Sequence, residues 1–177
     1  VNSSHEALNR VKALAQLDKK NVDKNLKVFV GDMRDKNSID NVFRFAFENN
    51  KSIEGVIHLA SLKSVKESID KPIDYLGNNI ISTLNLLEIM DKYNCFNIVF
   101  SSSASIYQKD QKFVNEESFI NPLHPYAETK VIIEKSLRSI FNASQDKWKI
   151  INLRYFNPIG AHSSGQLGEN PKGDPNN

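Results

Sequence analysis

Tyr126 and Lys130 stand four residues apart in Pro125-Tyr-Ala-Glu-Thr-Lys130, downstream of the serine run Phe100-Ser-Ser-Ser-Ala-Ser105. On a helix this spacing puts a phenol and an ammonium on one face a turn apart, where the positive charge lowers the phenol's pKa. The pair then acts as a base. A serine hydroxyl at a strand end would hold the substrate oxygen whose proton the phenolate removes, and the three groups together make a site for oxidising an alcohol. Tyr-x-x-x-Lys alone is short enough to arise by chance, so its surroundings decide its weight. Tyr126, Lys130, Ile133, Leu137 and Ile140 step by four, three, four and three, which places the pair on the helix's apolar stripe. Burial disfavours a lysine's charge unless something compensates, so a lysine in register with three aliphatics points to function.

These side chains need a scaffold, and the rest of the chain supplies the pattern of one. At 177 residues, 40% hydrophobic and 25% charged, the chain can build one core. Its 23 basic and 21 acidic residues leave a formal charge of +2 without long runs, which speaks against nucleic acid or an anionic membrane as partner. The expected partner is a small molecule. Cys95 is the only cysteine, so no internal disulfide and no cysteine-built metal site can form; a reducing, cytoplasmic setting fits. Four scattered histidines show no ligand spacing, and no metal is expected. No apolar stretch reaches the length of a membrane span. The chain opens on Val1 and stops at Asn177 in a Gly/Pro/Asn-rich stretch, and it reads as a fragment.

Strands and helices alternate in the hydrophobic pattern. Strands are expected at 26–30, 55–60, 97–101 and 148–153. Helices are expected at 4–17, around Ile39, Val42, Phe43, Ala46 and Phe47, from Pro72 to about Asn94, and through Tyr126. A polar loop is expected between the second strand and Pro72. Short apolar strands separated by helices imply a doubly wound α/β fold, Rossmann-like, with a parallel sheet covered on both faces. Ligands bind at the carboxyl ends of such strands, and the loops there carry Gly31-Asp32, Ala60-Ser61-Leu62-Lys63, Ser101 to Ser105 and Tyr155-Phe156-Asn157. The glycine-rich turn that seats a pyrophosphate is missing, so the fold is expected to be incomplete at both ends.

With these residues in place, the chain resembles the extended short-chain dehydrogenase/reductases, and within them the UDP-glucose 4-epimerases. Val56-Ile-His-Leu-Ala60, Leu62-Lys63, the serine strand with Tyr107, Leu153-Arg-Tyr-Phe-Asn-Pro158, Gly160-Ala-His162 and Pro175-Asn-Asn177 carry the likeness. The resemblance implies an NAD-binding domain over 1–160, truncated at its start, and the first part of a nucleotide-sugar-binding region over 161–177. It implies Tyr126 as base, Lys130 as holder of the nicotinamide ribose, and Ser103 as partner of the sugar O4. Asn2, Ser3, Asp32, Met33, Leu59, Ala60, Ser61, Leu62, Lys63, Asn79, Tyr155 and Phe156 would meet the cofactor. Lys63, Ser103, Ser105, Tyr126, Asn157 and Asn177 would meet the UDP-sugar. For Asp32 the residue type equally suits a turn or a helix cap, and for Lys63 a solvated loop. His58 and His162 are expected to be structural.

The implied reaction is epimerisation at C4 through a 4-keto sugar, by a protein that pairs as a homodimer through the helices beginning near Pro72 and His124. The 177-residue piece by itself is expected to be inactive. A nucleotide-sugar 4,6-dehydratase or decarboxylase would need a carboxylate in the strand-end run, where this chain has Ser103-Ala104-Ser105. A dinucleotide-sensing scaffold would need no phenolic base. Two departures from the epimerase pattern stand out. Ser61 and Gln108 occupy places where glycine is usual, and a side chain at Ser61 would either crowd the cofactor or add a contact.

Overall fold

The computed structural model describes residues 5–16, 26–110 and 112–168. The chain divides into two units, Gly31–Phe156 and a second formed by Val1–Val30 with Asn157–Asn177.

The larger unit is a parallel three-stranded sheet with helices packed on it. In chain order its elements are α2 (Lys36–Glu48), β1 (Val56–His58), α3 (Val65–Asp70), α4 (Pro72–Leu76), a π-helical turn (Gly77–Ile81), α5 (Ser82–Lys92), β2 (Asn97–Ser103), a short 3-10 turn (Ala104–Ile106), α6 (Pro125–Ala143) and β3 (Lys149–Tyr155). The strand order is β1-β2-β3. Parallel pairing sets Val56 beside Ile98, and Ser103 beside Tyr155. All three strands therefore end at one edge, as the βα alternation requires.

The core lies on one face of this sheet. Ile98 and Phe100 of β2 meet Ile39 and Phe43 of α2, Leu86, Leu87 and Met90 of α5, and Ile133 and Leu137 of α6. On the opposite face, the alternate residues Ile57 and Ile151 remain 71% and 55% exposed. The period-2 alternation is clearest in β2, where Ile98, Phe100 and Ser102 are buried.

Most expected elements form close to where the pattern places them. The Pro72 helix runs through Lys92 in right-handed backbone, with Gly77 and Ser82 at φ −61° and −56° joining its three parts. Pro72 sits in the first turn, where its missing N–H is not needed. Asn94, at φ 57°, ends the path in the left-handed region. The apolar run 26–30 is the exception: it belongs to none of the paired strands. A strand is secured by its ladder, and apolar composition alone does not form one.

The stretch expected to be a polar loop holds α3. Ser64 caps it, its side chain accepting from the Glu67 N–H. The Ser-x-x-Glu spacing of a capping box was present in the sequence. The Glu67 carboxylate does not return to the Ser64 N–H; Tyr75 bridges the two instead. The Ser64 N–H donates to the Tyr75 hydroxyl at 3.0 Å, which donates to Glu67 Oε2 at 3.1 Å.

In the other unit, α1 (His5–Gln16) carries an Arg10–Glu6 ion pair of 3.1 Å, and Arg10 also donates to the carbonyl of Gln166 at 3.2 Å. Among the described residues no helix is long and apolar enough to cross a membrane.

Candidate active site

Helix α6 delivers the phenol and the ammonium. His124 caps it, with Nδ1 accepting from the Ala127 N–H at 3.2 Å, and its ring stacks on Tyr126 at 6.0 Å between centroids. One turn on, Lys130 is only 2% exposed. Its ammonium lies 5.6 Å from the centroid of the Tyr126 ring and 4.9 Å from that of Phe100. It donates to the carbonyl of Ser101 at 2.8 Å and to Ser61 Oγ at 3.1 Å. Among the described residues no carboxylate pairs with it. Burial accordingly pulls its pKa down to about 8.

The end of β2 delivers the serines. Ser103 Oγ lies close enough to the Tyr126 phenol to influence its pKa and is 2.9 Å from Ser105 Oγ. Tyr126, Lys130 and Ser103 thus converge on one place. The direction of the Tyr126 shift corrects the expectation, however. Burial raises the phenol above its ordinary value, and it is the Ser103 hydrogen bond that draws it back down. Desolvation of the anionic form outweighs that hydrogen bond.

A cavity of about 690 Å³ is lined among others by Ala104 and Ser105, which follow Ser103 in the chain, and by Gln108, Leu123, His124 and Phe156. Tyr155, the β3 residue in register with Ser103, is half-exposed beside Phe156 in the chain.

Other candidates are held in ways the sequence did not specify. The Asp32 carboxylate accepts from Arg34 Nη2 at 2.6 Å and from the Arg34 N–H at 2.9 Å, contacts that lower its pKa to about 2. The turn-making alternative for Asp32 is therefore formed, whereas the helix cap falls to Asp35, which accepts from Asn37. Gly31 beside it is a place of close approach, since a Cβ there would meet Ser38 Cβ at 2.9 Å. Met33 packs against the core and its carbonyl accepts from Asn85 at 3.3 Å. Leu59, Ala60 and Lys63 are exposed around the end of β1. Asn79 is buried and brackets Leu62, accepting from its N–H at 2.8 Å and donating to its carbonyl at 3.1 Å. Asn157 belongs to the other unit. Asn2, Ser3 and Asn177 lie outside the described residues.

The two tempting histidines have structural partners. His58 is buried, with Nε2 3.0 Å from Thr83 Oγ1. Burial, with Lys130 nearby, drops its pKa to about 4, so the ring is neutral near pH 7. His162 pairs locally with Ser164 at 2.8 Å. Cys95 is buried, and among the described residues no cluster suits a metal ion.

Sequence reading missed the group behind the serine strand. Arg154 of β3 donates through Nε and Nη2 to the two carboxylate oxygens of Glu134 at 3.1 and 2.8 Å, and through Nη1 to the Tyr107 hydroxyl at 3.0 Å. Ser102 donates to the same carboxylate. Glu134 lies two turns beyond Tyr126, so its inward position followed from the stripe already noted.

The family model described as GDP-mannose 4,6 dehydratase matches residues 1–172. The chain belongs to this family. Among its relatives, a bifunctional UDP-glucose 4-epimerase and UDP-xylose 4-epimerase of Pisum sativum is 42% identical over 99% of the chain and 48% of its own length. A bifunctional enzyme of the same description from Arabidopsis thaliana is 44% identical over the same shares. In structure, the chain is similar to the UDP-glucose 4-epimerase of Bifidobacterium longum in complex with NAD+ and UDP. The TM-score is 0.85 at 43% identity, covering 99% of this chain and 49% of that one. The chain spans about half the length of the curated relatives it matches. Within the family, then, these relatives are epimerases, and the resemblance to extended short-chain dehydrogenase/reductases stands.

Proposed function

We propose that the whole protein is an NAD-dependent epimerase that inverts C4 of a UDP-hexose, interconverting UDP-glucose and UDP-galactose. The observation that carries this reading is the convergence of the Ser103 hydroxyl, the Tyr126 phenol and the buried Lys130 ammonium at the carboxyl edge of the sheet. The relatives named above point to the same reaction.

The residues present fit a dinucleotide. A buried ammonium with no carboxylate partner among the described residues, at the strand ends of a parallel sheet, suits a ligand that brings hydroxyl acceptors. Lys130 would hold the nicotinamide ribose, with Ser61, Leu62 and Tyr155 around it. NAD, when bound, supplies the hydride acceptor and the positive charge of its ring. Ser103 then fixes the sugar O4 by hydrogen bonding, and Tyr126 takes the 4-hydroxyl proton and later returns it to the carbonyl oxygen of the 4-keto sugar. Because burial raises the phenol, the Ser103 hydrogen bond serves to favour its anion when the base is needed. Elimination of water would require an added acid beside Ser103, and Ala104 and Ser105 follow it.

The whole protein pairs as a homodimer in this proposal. Ile73, Ile81 and Leu84 follow one another at helical spacing on the Pro72–Lys92 path and are exposed, Ile73 at 81%. A reducing, cytoplasmic setting agrees with the single buried cysteine.

The reading is tested by incubating the full-length protein with UDP-galactose and following products by nuclear magnetic resonance. UDP-glucose is the expected product. A dehydrated keto sugar, or no conversion by NAD-loaded protein, would overturn it. The N-acetylated substrate in a parallel arm reports sugar specificity.

A further inference from the structure

The two protein partners of Lys130 differ in kind. Ser101 offers a backbone carbonyl, at 2.8 Å, that no substitution removes. Ser61 offers a side-chain hydroxyl, at 3.1 Å, from a loop on a different strand. An ammonium has three protons, so these two acceptors leave a third for a ligand.

The place of Ser61 is itself fixed. Its neighbour Leu62 is gripped at both its N–H and its carbonyl by the Asn79 amide, at 2.8 and 3.1 Å. The remaining Asn79 donor goes to Thr129 Oγ1 at 3.1 Å, and Thr129 precedes Lys130 on α6. Thr129 in turn donates to the carbonyl of Tyr126 at 2.7 Å. One buried amide, in the π-helical turn, therefore ties the loop that carries Ser61 to the helix that carries Tyr126 and Lys130. A π-helical turn inside a longer helix frequently marks a functional position.

The surroundings leave few other groups to stabilise the ammonium. From β1 the titratable neighbour is His58, neutral near pH 7. From α3 and α4, Glu67 and Tyr75 bond one another. On α6 itself, Tyr126 lies beside it and Glu134 is engaged by Arg154 of β3 and by Ser102 of β2.

We propose that Ser61 is a positioning residue: its hydroxyl holds the Lys130 ammonium beside the Tyr126 phenol, at a point set by the Asn79 bracket. The consequence for turnover rests on the epimerase reading; the hydrogen bond itself does not. Where glycine stands at this position, only Ser101 would remain as an acceptor from these two. Hydrogen bonds to charged groups are stronger than neutral ones, and more so in a buried site. Loss of the hydroxyl favours the neutral amine, which no longer stabilises the phenolate.

The test uses full-length protein labelled with 13C at lysine Cε, with the Lys130 signal assigned by its disappearance in Lys130→Met. Wild type, Ser61→Ala and Ser61→Thr are titrated by nuclear magnetic resonance, and their kcat–pH profiles are recorded. In Ser61→Ala the Lys130 midpoint should fall by about one pH unit. The acid limb of kcat should move to higher pH, with KM changing less than kcat. Ser61→Thr, which keeps the hydroxyl, should restore both. Equal Lys130 midpoints in wild type and Ser61→Ala would overturn the proposal, as would a folded Ser61→Thr that titrates like Ser61→Ala. A shifted midpoint in protein that epimerises nothing would leave the positioning role standing and remove the epimerase reading instead.

Discussion

Arg154 and Glu134 lock β3 to α6 through two side-by-side N–H···O contacts, of 3.1 and 2.8 Å, with both side chains largely buried. Glu134 is one turn beyond Lys130, and its further partner Ser102 precedes Ser103 on β2. The pair therefore ties β3 to α6 and β2, the two elements that bear the candidate catalytic groups. The carboxylate also lifts Arg154 further above its ordinary pKa.

Removing one partner of such a pair strands the other charge. Glu134→Ala in the full-length protein is expected to lower stability by about 3–5 kcal/mol, read from the urea midpoint at constant m. Replacing both partners together, as Glu134→Leu with Arg154→Met, should cost clearly less than the single change. A single mutant within about 0.5 kcal/mol of wild type would show that the pair does not support the fold.

Tyr126→Phe keeps the ring that stacks on His124 and lies beside Lys130, and deletes only the hydroxyl that reaches Ser103. Turnover of the full-length enzyme should fall by about 10²–10⁴-fold, the usual contribution of a positioned acid-base group. Circular dichroism and the unfolding midpoint should stay close to wild type. Near-normal kcat in this variant would assign the base elsewhere.

The helix of Tyr126 and Lys130 and the sheet were legible because their signals are periodic. The stripe of Tyr126, Lys130, Ile133 and Leu137 needs only the 3.6 period, and β2 and β3 announce themselves by apolar runs between helices. Residues 26–30 carry the same apolar composition without forming a strand, because pairing depends on a neighbour and not on the run. The short α3 was signalled by Ser64 and Glu67, a local pattern hidden by the polarity around it. Glu134 and the Asn79 bracket are tertiary facts. The helical stripe places Glu134 inward, but its partner Arg154 is 20 residues away and the Asn79 partner Leu62 is 17 away, so no local spacing announces these contacts. Ser61 departs from the usual glycine, but its partner Lys130 lies 69 residues away in the chain.

His58 gives the fold an acid sensitivity of definite sign. Its pKa is about 4 in the folded protein against the ordinary histidine value of 6.5, so between those values the unfolded chain binds more protons. The stability due to the neutral ring is present above 6.5 and is lost as pH falls towards 4. The full difference corresponds to about 3 kcal/mol. Urea midpoints of the full-length protein should therefore drop between pH 6.5 and 4. The same titration on His58→Gln should be flatter in this window, whatever its midpoint near neutrality. Parallel curves for the two proteins would locate the acid sensitivity in other groups.

The exposed stripe of Ile73, Ile81 and Leu84 is the surface most in need of a cover on the Pro72–Lys92 path, since each lies away from the core that Leu86, Leu87 and Met90 join. If the stripe is an isologous dimer face, residues near the two-fold axis meet their own copies, and one charge per chain places two like charges together. Ile73→Glu should then convert full-length dimers to monomers in sedimentation-velocity runs at micromolar concentration, with the unfolding midpoint of the monomer lowered. Because Ile73 is exposed within the chain, the substitution itself creates no cavity, so any loss of stability traces to the lost partner. Wild-type protein that sediments as a monomer, or an Ile73→Glu variant that remains dimeric, would show that this face is not where the subunits meet.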